Sequence, residues 1–78
     1  MNSNLLRAVI AKNGDTQAKL AEAMGMPVSA LSVRINGKVE FRRNEIRFIK
    51  QRYNLSSDEI NEIFFAELVS DFDTVKGA

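Results

Sequence analysis

The sequence predicts an all-α fold, a compact bundle of about five short helices. Three observations predict it. Apolar residues recur at helical spacing in several separate segments. Glycines stand where the first three of these segments end, at Gly14, Gly25 and Gly37, positions at which a chain leaving a helix favours a left-handed residue. Ser56 and Glu59, three residues apart, form a capping box ahead of a last apolar run. At 78 residues the chain is one domain with a modest core. We expect the folded domain over residues 1–70 and a frayed tail at 71–78.

The first helix is expected from Ser3 to Asn13, with Ser3 as its cap and Leu5, Leu6, Val9 and Ile10 as the inward stripe. The second runs from Thr16 to Met24, with Leu20, Ala21 and Met24 on one narrow apolar face and the Thr16 hydroxyl capping its start. Gly25 ends it, and Met26 is an apolar plug in the turn. Pro27 suits the first position of a new helix, which needs no amide hydrogen there. That third helix spans Val28 to Asn36, with Val28, Leu31 and Ile35 facing inward.

Residues 38–42, KVEFR, alternate apolar and charged side chains, but five residues without a partner strand read as an extended linker anchored by Phe41. The fourth helix is expected from Arg43 to Arg52, with Ile46, Ile49 and Tyr53 inward and Arg47, Lys50 and Arg52 outward. Asn54 is suited to end it in the left-handed conformation. In the fifth helix Ile60, Ile63, Phe64 and Leu68 face the core. Phe65, Val69 and Phe72 lie on a second flank that a small core does not cover, so Phe65, Leu68, Val69 and Phe72 are candidate dimer or protein contacts.

Two short helices joined by a Gly-containing turn, over Thr16–Lys38, make a helix-turn-helix, whose second helix can enter the DNA major groove. Thr16-Gln17, Leu20-Ala21, Gly25, Leu31-Ser32 and Asn36-Gly37 together resemble the helix-turn-helix of the lambdoid phage repressor and Cro family. The run LSVRINGKVEF, the Asn44-Glu45-Ile46 helix and the Phe64-Phe65 pair are more closely similar to small phage and prophage regulators of Gram-positive bacteria. The motif covers roughly a third of the chain. Pro27 departs from the polar cap usual in that family, and Val33 stands where a polar or basic reading residue is common. The resemblance implies a lambda repressor-like DNA-binding fold and a Cro-like transcriptional regulator without the second domain of longer repressors. It implies double-stranded DNA as partner and no cofactor, and a homodimer would read a near-palindromic operator.

Composition narrows the function classes. The chain has no cysteine and no histidine, which removes thiolate chemistry, the usual general base and the commonest metal ligand. It offers no phosphate-cradling glycine loop and no paired carboxylates in a plausible pocket, so an enzyme with a small-molecule substrate is not expected. The apolar run near the N-terminus is too short and interrupted for a signal peptide or a membrane span, and a cytoplasmic protein is the default. Net charge is only +1, but it is unevenly spread: residues 1–30 carry +1, residues 31–54 carry +5 and residues 55–78 carry −5. A basic middle directly after a recognition helix is where phosphate contacts are wanted.

Projected at ~100° per residue, Ser29, Ala30 and Val33 lie opposite the buried edge of the third helix, with Arg34 and Asn36 on its flanks. Candidate base contacts are therefore Val28, Ser29, Ala30, Val33 and Arg34. Ser29 discriminates bases weakly, and Ala30 and Val33 suit a thymine methyl. Only Arg34 offers a bidentate guanine contact. Candidate phosphate contacts are Lys19, Asn36, Lys38, Arg42 and Arg43, together with Gln17, which the resemblance matches to a phosphate-gripping glutamine. The competing reading is a protein-interaction module, antirepressor-like, that uses the acidic C-terminal helix. The basic segment beside the recognition helix favours DNA.

Overall fold

A computed structural model describes residues 1–65, in which the chain forms five α-helices and, among the described residues, no strand. They are α1 (Ser3–Lys12), α2 (Gln17–Met24), α3 (Val28–Ile35), α4 (Arg43–Arg52) and α5 (Ser57–Phe64). Leu6, Leu20, Leu31, Ile35, Ile49 and Ile63 are fully buried, with contributions from every helix. Ile10, Ala21, Tyr53, Leu55, Ile60 and Phe64 complete the core. Residues 38–42 form a linker without a strand, as expected, but Lys38 and Val39 bend back to the Val33 carbonyl instead of running extended. Phe41 anchors it by packing edge-to-face on Phe64, with ring centroids 5.3 Å apart and an interplanar angle of 81°.

The first four helices end in the same way. A residue two or three beyond the helix end donates its amide back to a carbonyl five residues earlier: Asp15 to Ile10, Met26 to Ala21, Lys38 to Val33 and Leu55 to Lys50. A left-handed residue precedes each of these donors, namely Gly14, Gly25, Gly37 and Asn54, the last with φ of 52°. These paired bonds absorb carbonyls that a helix end otherwise leaves unmet. Met26 and Leu55, the two apolar donors, also turn their side chains into the core.

Two starts follow the sequence closely, and a third has a cap the sequence analysis does not name. Thr16 Oγ1 accepts from the Lys19 amide at 3.1 Å. Ser56 Oγ accepts from the Glu59 amide at 3.1 Å while the Glu59 carboxylate accepts from the Ser56 amide at 3.0 Å, the reciprocal capping box. At α4 the Glu45 carboxylate accepts from the Arg42 amide at 2.8 Å.

Four expectations need correction. The cap of α1 is Asn2, whose Oδ1 accepts from the Leu5 amide at 3.0 Å; Ser3 is already helical. Asn2 also donates its own amide to the Ile63 carbonyl at 2.7 Å, tying the chain's start to α5. Pro27 is the residue before α3, in extended conformation, and not its first helical residue. Val28 does not face the core: it is 49% exposed, because Leu31 and Ile35 already define the buried edge and Val28 lies on the open first turn. Lys50 is half-buried rather than outward and donates to Ser57 Oγ at 3.4 Å. Within the described residues α5 stops at Phe64, with Phe65 as its C-cap. The expected core role of Leu68, the flank of Val69 and Phe72, and the tail at 71–78 lie outside the described residues.

One polar link joins distant parts of the chain. The Asp15 carboxylate, with its side chain only 7% exposed, accepts from Arg52 Nε at 2.8 Å and from the Tyr53 hydroxyl at 2.7 Å, and also from the Thr16 amide at 3.0 Å. It thus pins the α1–α2 loop to the end of α4. The bonds from Arg52 and then Tyr53 hold the Asp15 carboxyl well below the usual carboxylate range. Burial, followed by the bond to Asp15, pushes the Tyr53 phenol above its ordinary value. A carboxyl depressed in the folded state stabilises above its unfolded pKa, about 4, and that stabilisation drains away as pH falls below it. Asp15→Asn should therefore lower the melting temperature at pH 7, and the gap to the wild type should start narrowing near pH 4 and keep narrowing toward pH 2. A gap that stays constant across that range would remove the Asp15 charge from the account. Tyr53→Phe should cost about 1 kcal/mol at neutral pH, since Asp15 keeps its other donors.

Candidate nucleic-acid interface

α2 and α3 pack against each other through Leu20 and Ala21 on one side and Leu31 and Ile35 on the other. The turn between them is three residues long. Gly25 takes φ of 72°, a conformation that strains any residue with a Cβ. Met26 plugs the core, and Pro27 leads into α3 without a side-chain cap. The Pro27 carbonyl accepts from the amides of Ala30 and Leu31 at 3.0 and 3.2 Å, so α3 starts cleanly on a residue that lacks a capping oxygen.

The buried pair Leu31 and Ile35 fixes the rotation of α3 and hence what it presents. Val28 and Ser29 are exposed at its N-terminal end, whereas Ala30 and Val33 are half-buried. Arg34 is engaged inside the protein. Its Nη1 donates to the Ala30 carbonyl at 2.8 Å, and its Nε pairs with Glu45 Oε1 at 3.2 Å, the two side chains being 16% and 11% exposed. A guanidinium held this way does not offer its fork to a base without first giving up a partly buried partner.

The same Glu45 oxygen accepts from the Arg42 amide, so one carboxylate binds the end of α3 to the start of α4. This sets Arg42 and Arg43, both exposed, beside the C-terminal half of α3. Lys38 is exposed on the linker between them, and Lys19 is exposed on the first turn of α2, where Gln17 is half-buried. Asn36 accepts through Oδ1 from Arg7 Nη2, which links α1 to the end of α3 and leaves the Asn36 amide nitrogen as its donor to anything outside. Phe65 is 42% exposed. The other expected dimer contacts, Leu68, Val69 and Phe72, lie outside the described residues.

Sequence reasoning missed two residues of this region. Glu45 is legible in the sequence only as part of the Asn44-Glu45-Ile46 helix and not as a cap or ion-pair partner, although an acid three residues beyond Arg42 is half of a capping-box signal. Arg7 gave no signal at all, because its partner is 29 positions away. Among the described residues no helix is long and apolar enough to cross a membrane.

The described residues thus form an all-α bundle of five short helices around one core. The chain belongs to the DUF739 family, described as a protein of unknown function, whose model matches residues 2–67. No curated protein and no solved structure matches it.

The Arg34–Glu45 pair can be tested directly. Glu45→Ala removes both a cap and an ion-pair partner and should cost about 1–2 kcal/mol. A cycle with Arg34→Met should return a coupling of about 1 kcal/mol. Additive effects in urea melts would mean that the two side chains stabilise the α3–α4 junction independently.

Proposed function

We propose that this chain is a sequence-specific DNA-binding transcriptional regulator of the phage repressor and Cro type, with α3 as its recognition helix. The observation that supports this most is the α2–turn–α3 unit. Its second helix is held by Leu31 and Ile35, its N-terminal end is left exposed, and exposed cations stand on the linker and helix that follow it. Helix-turn-helix proteins read bases mainly with the first residues of the recognition helix, and here those are Val28 and Ser29. Ala30 and Val33, with part of their surface open, supply apolar contact to thymine methyl groups. Arg34 belongs to this reading as a residue that positions α3 against α4, not as a guanine reader.

Lys38, Arg42 and Arg43 would hold the phosphate backbone next to α3, with Lys19, Gln17 and Asn36 as further donors. A homodimer would place two such helices in successive major grooves and favour an inverted repeat with half-sites about one helical turn apart. The cytoplasm is where such a regulator acts, and it needs no cofactor.

Selection from a random duplex library at near-physiological salt, with non-specific competitor, tests the reading. An enriched inverted repeat, or a single enriched half-site, would support it. No enrichment by a folded protein would overturn it in favour of a protein target. On the selected site, Val33→Ala should relax preference at one base pair while leaving other sequences unaffected. Replacing Arg42 and Arg43 by Ala should weaken binding evenly across sequences and flatten the log–log salt slope by about 0.9 per lost phosphate contact. An unchanged slope would take both residues out of the interface.

A further inference from the structure

The surface outside α2 and α3 contains a groove of about 480 Å3 on the α4 side of the bundle. Among the described residues, Phe41, Ile46 and Phe65 form its apolar part, and Arg43, Arg47 and Lys50 supply its charge, with no carboxylate among them. Phe41 and Ile46 are half-buried against the core, so the floor is fixed, and Phe65 is partly exposed. An apolar trough edged by these three cations favours an occupant that is both apolar and acidic.

We propose that residues 66–78 of the same chain dock in this groove. Three observations lead there. The first is chemical: Leu68, Val69 and Phe72 recur at i, i+1 and i+4, and Glu67 and Asp71 recur at i and i+4 beside them, giving one apolar edge next to one acidic edge. The second is position, since Phe65, the residue that leads into this segment, itself lines the groove. The third is direction. A helix continued without a break would carry its next residues away along its axis at about 1.5 Å each. Phe65 itself leaves helical geometry at φ −123° and ψ 24°, so α5 ends at the rim of the trough. In the docked state Leu68, Val69 and Phe72 cover Phe41 and Ile46, and Glu67, Asp71 and Asp73 face Arg43, Arg47 and Lys50. Docking does not depend on the DNA reading, although Arg43 is common to both.

The chain has no cysteine, so Thr74→Cys gives a single attachment point for a nitroxide spin label on the full-length protein. Tethering alone brings some broadening to nearby amides. The readout is therefore the difference between the labelled protein and the same protein with Arg47→Glu and Lys50→Glu, both checked for folding by their amide spectra. The expected result is strong loss of intensity at the amides of Phe41, Ile46 and Arg43, much of it recovered when the two cations are reversed. Equal broadening in both proteins would overturn the proposal, because it would reflect the tether and not a bound segment. A mixture of isotope-labelled protein without nitroxide and nitroxide-bearing protein without isotope tests the source. Loss of the same signals there would show that the groove takes the segment of a second copy, and would overturn docking within one chain.

Discussion

Helices of eight to ten residues do not persist alone in water, because so few propagation bonds hardly repay the cost of nucleation. Every described helix therefore depends on the shared burial of Leu6, Leu20, Leu31, Ile35, Ile49 and Ile63. That dependence makes the helix ends as important as the helix faces. With so little length, a poorly closed end would leave a large share of each helix's carbonyls unmet. The repeated return bonds at Gly14, Gly25, Gly37 and Asn54 deal with this at four of the ends. They also turn the chain sharply enough for the next short helix to reach the same core.

Features that depend on neighbours in sequence are legible in the sequence itself. The left-handed endings, the Thr16 cap, the Ser56–Glu59 box and the Phe41 anchor all rest on residues within a few positions or on a single strong apolar side chain. Asp15 with Arg52 and Tyr53 spans 37 and 38 positions, and Arg7 with Asn36 spans 29. No periodicity encodes such pairs, so they were invisible. The orientation of Val28 was misread for a different reason. Its apolar type suggests burial, yet on the first turn of an eight-residue helix the buried edge is set by Leu31 and Ile35 alone.

The charge pattern also changes meaning once partners are known. Residues 31–54 look strongly basic in sequence, but Arg34 and Arg52 are committed to Glu45 and Asp15. Their work is to fix α4 against α3 and against the α1–α2 loop. The cations left to face outward from this segment are Lys38, Arg42, Arg43 and Arg47, with Lys50 half-buried, and Glu40 is the exposed acid among them. The basic surface is thus smaller than composition suggests, but it sits on a frame made rigid by the very charges withdrawn from it.

That frame bears on how such a surface would recognise DNA. A good bidentate pair discriminates against a wrong base by about 1–3 kcal/mol, and with Arg34 engaged at the α3–α4 junction the exposed start of α3 has no side chain able to make one. Val28, Ser29, Ala30 and Val33 offer methyl contacts and one hydroxyl, each of which distinguishes bases less sharply. Specificity on this reading comes from adding modest preferences, from thymine methyl groups, groove shape and a second half-site, rather than from one dominant contact. Such an arrangement is sensitive to the exact placement of α3. The energetic weight of the region therefore falls on the residues that hold the helix in position, Leu31, Ile35, Arg34 and Glu45, as much as on those that would touch a base.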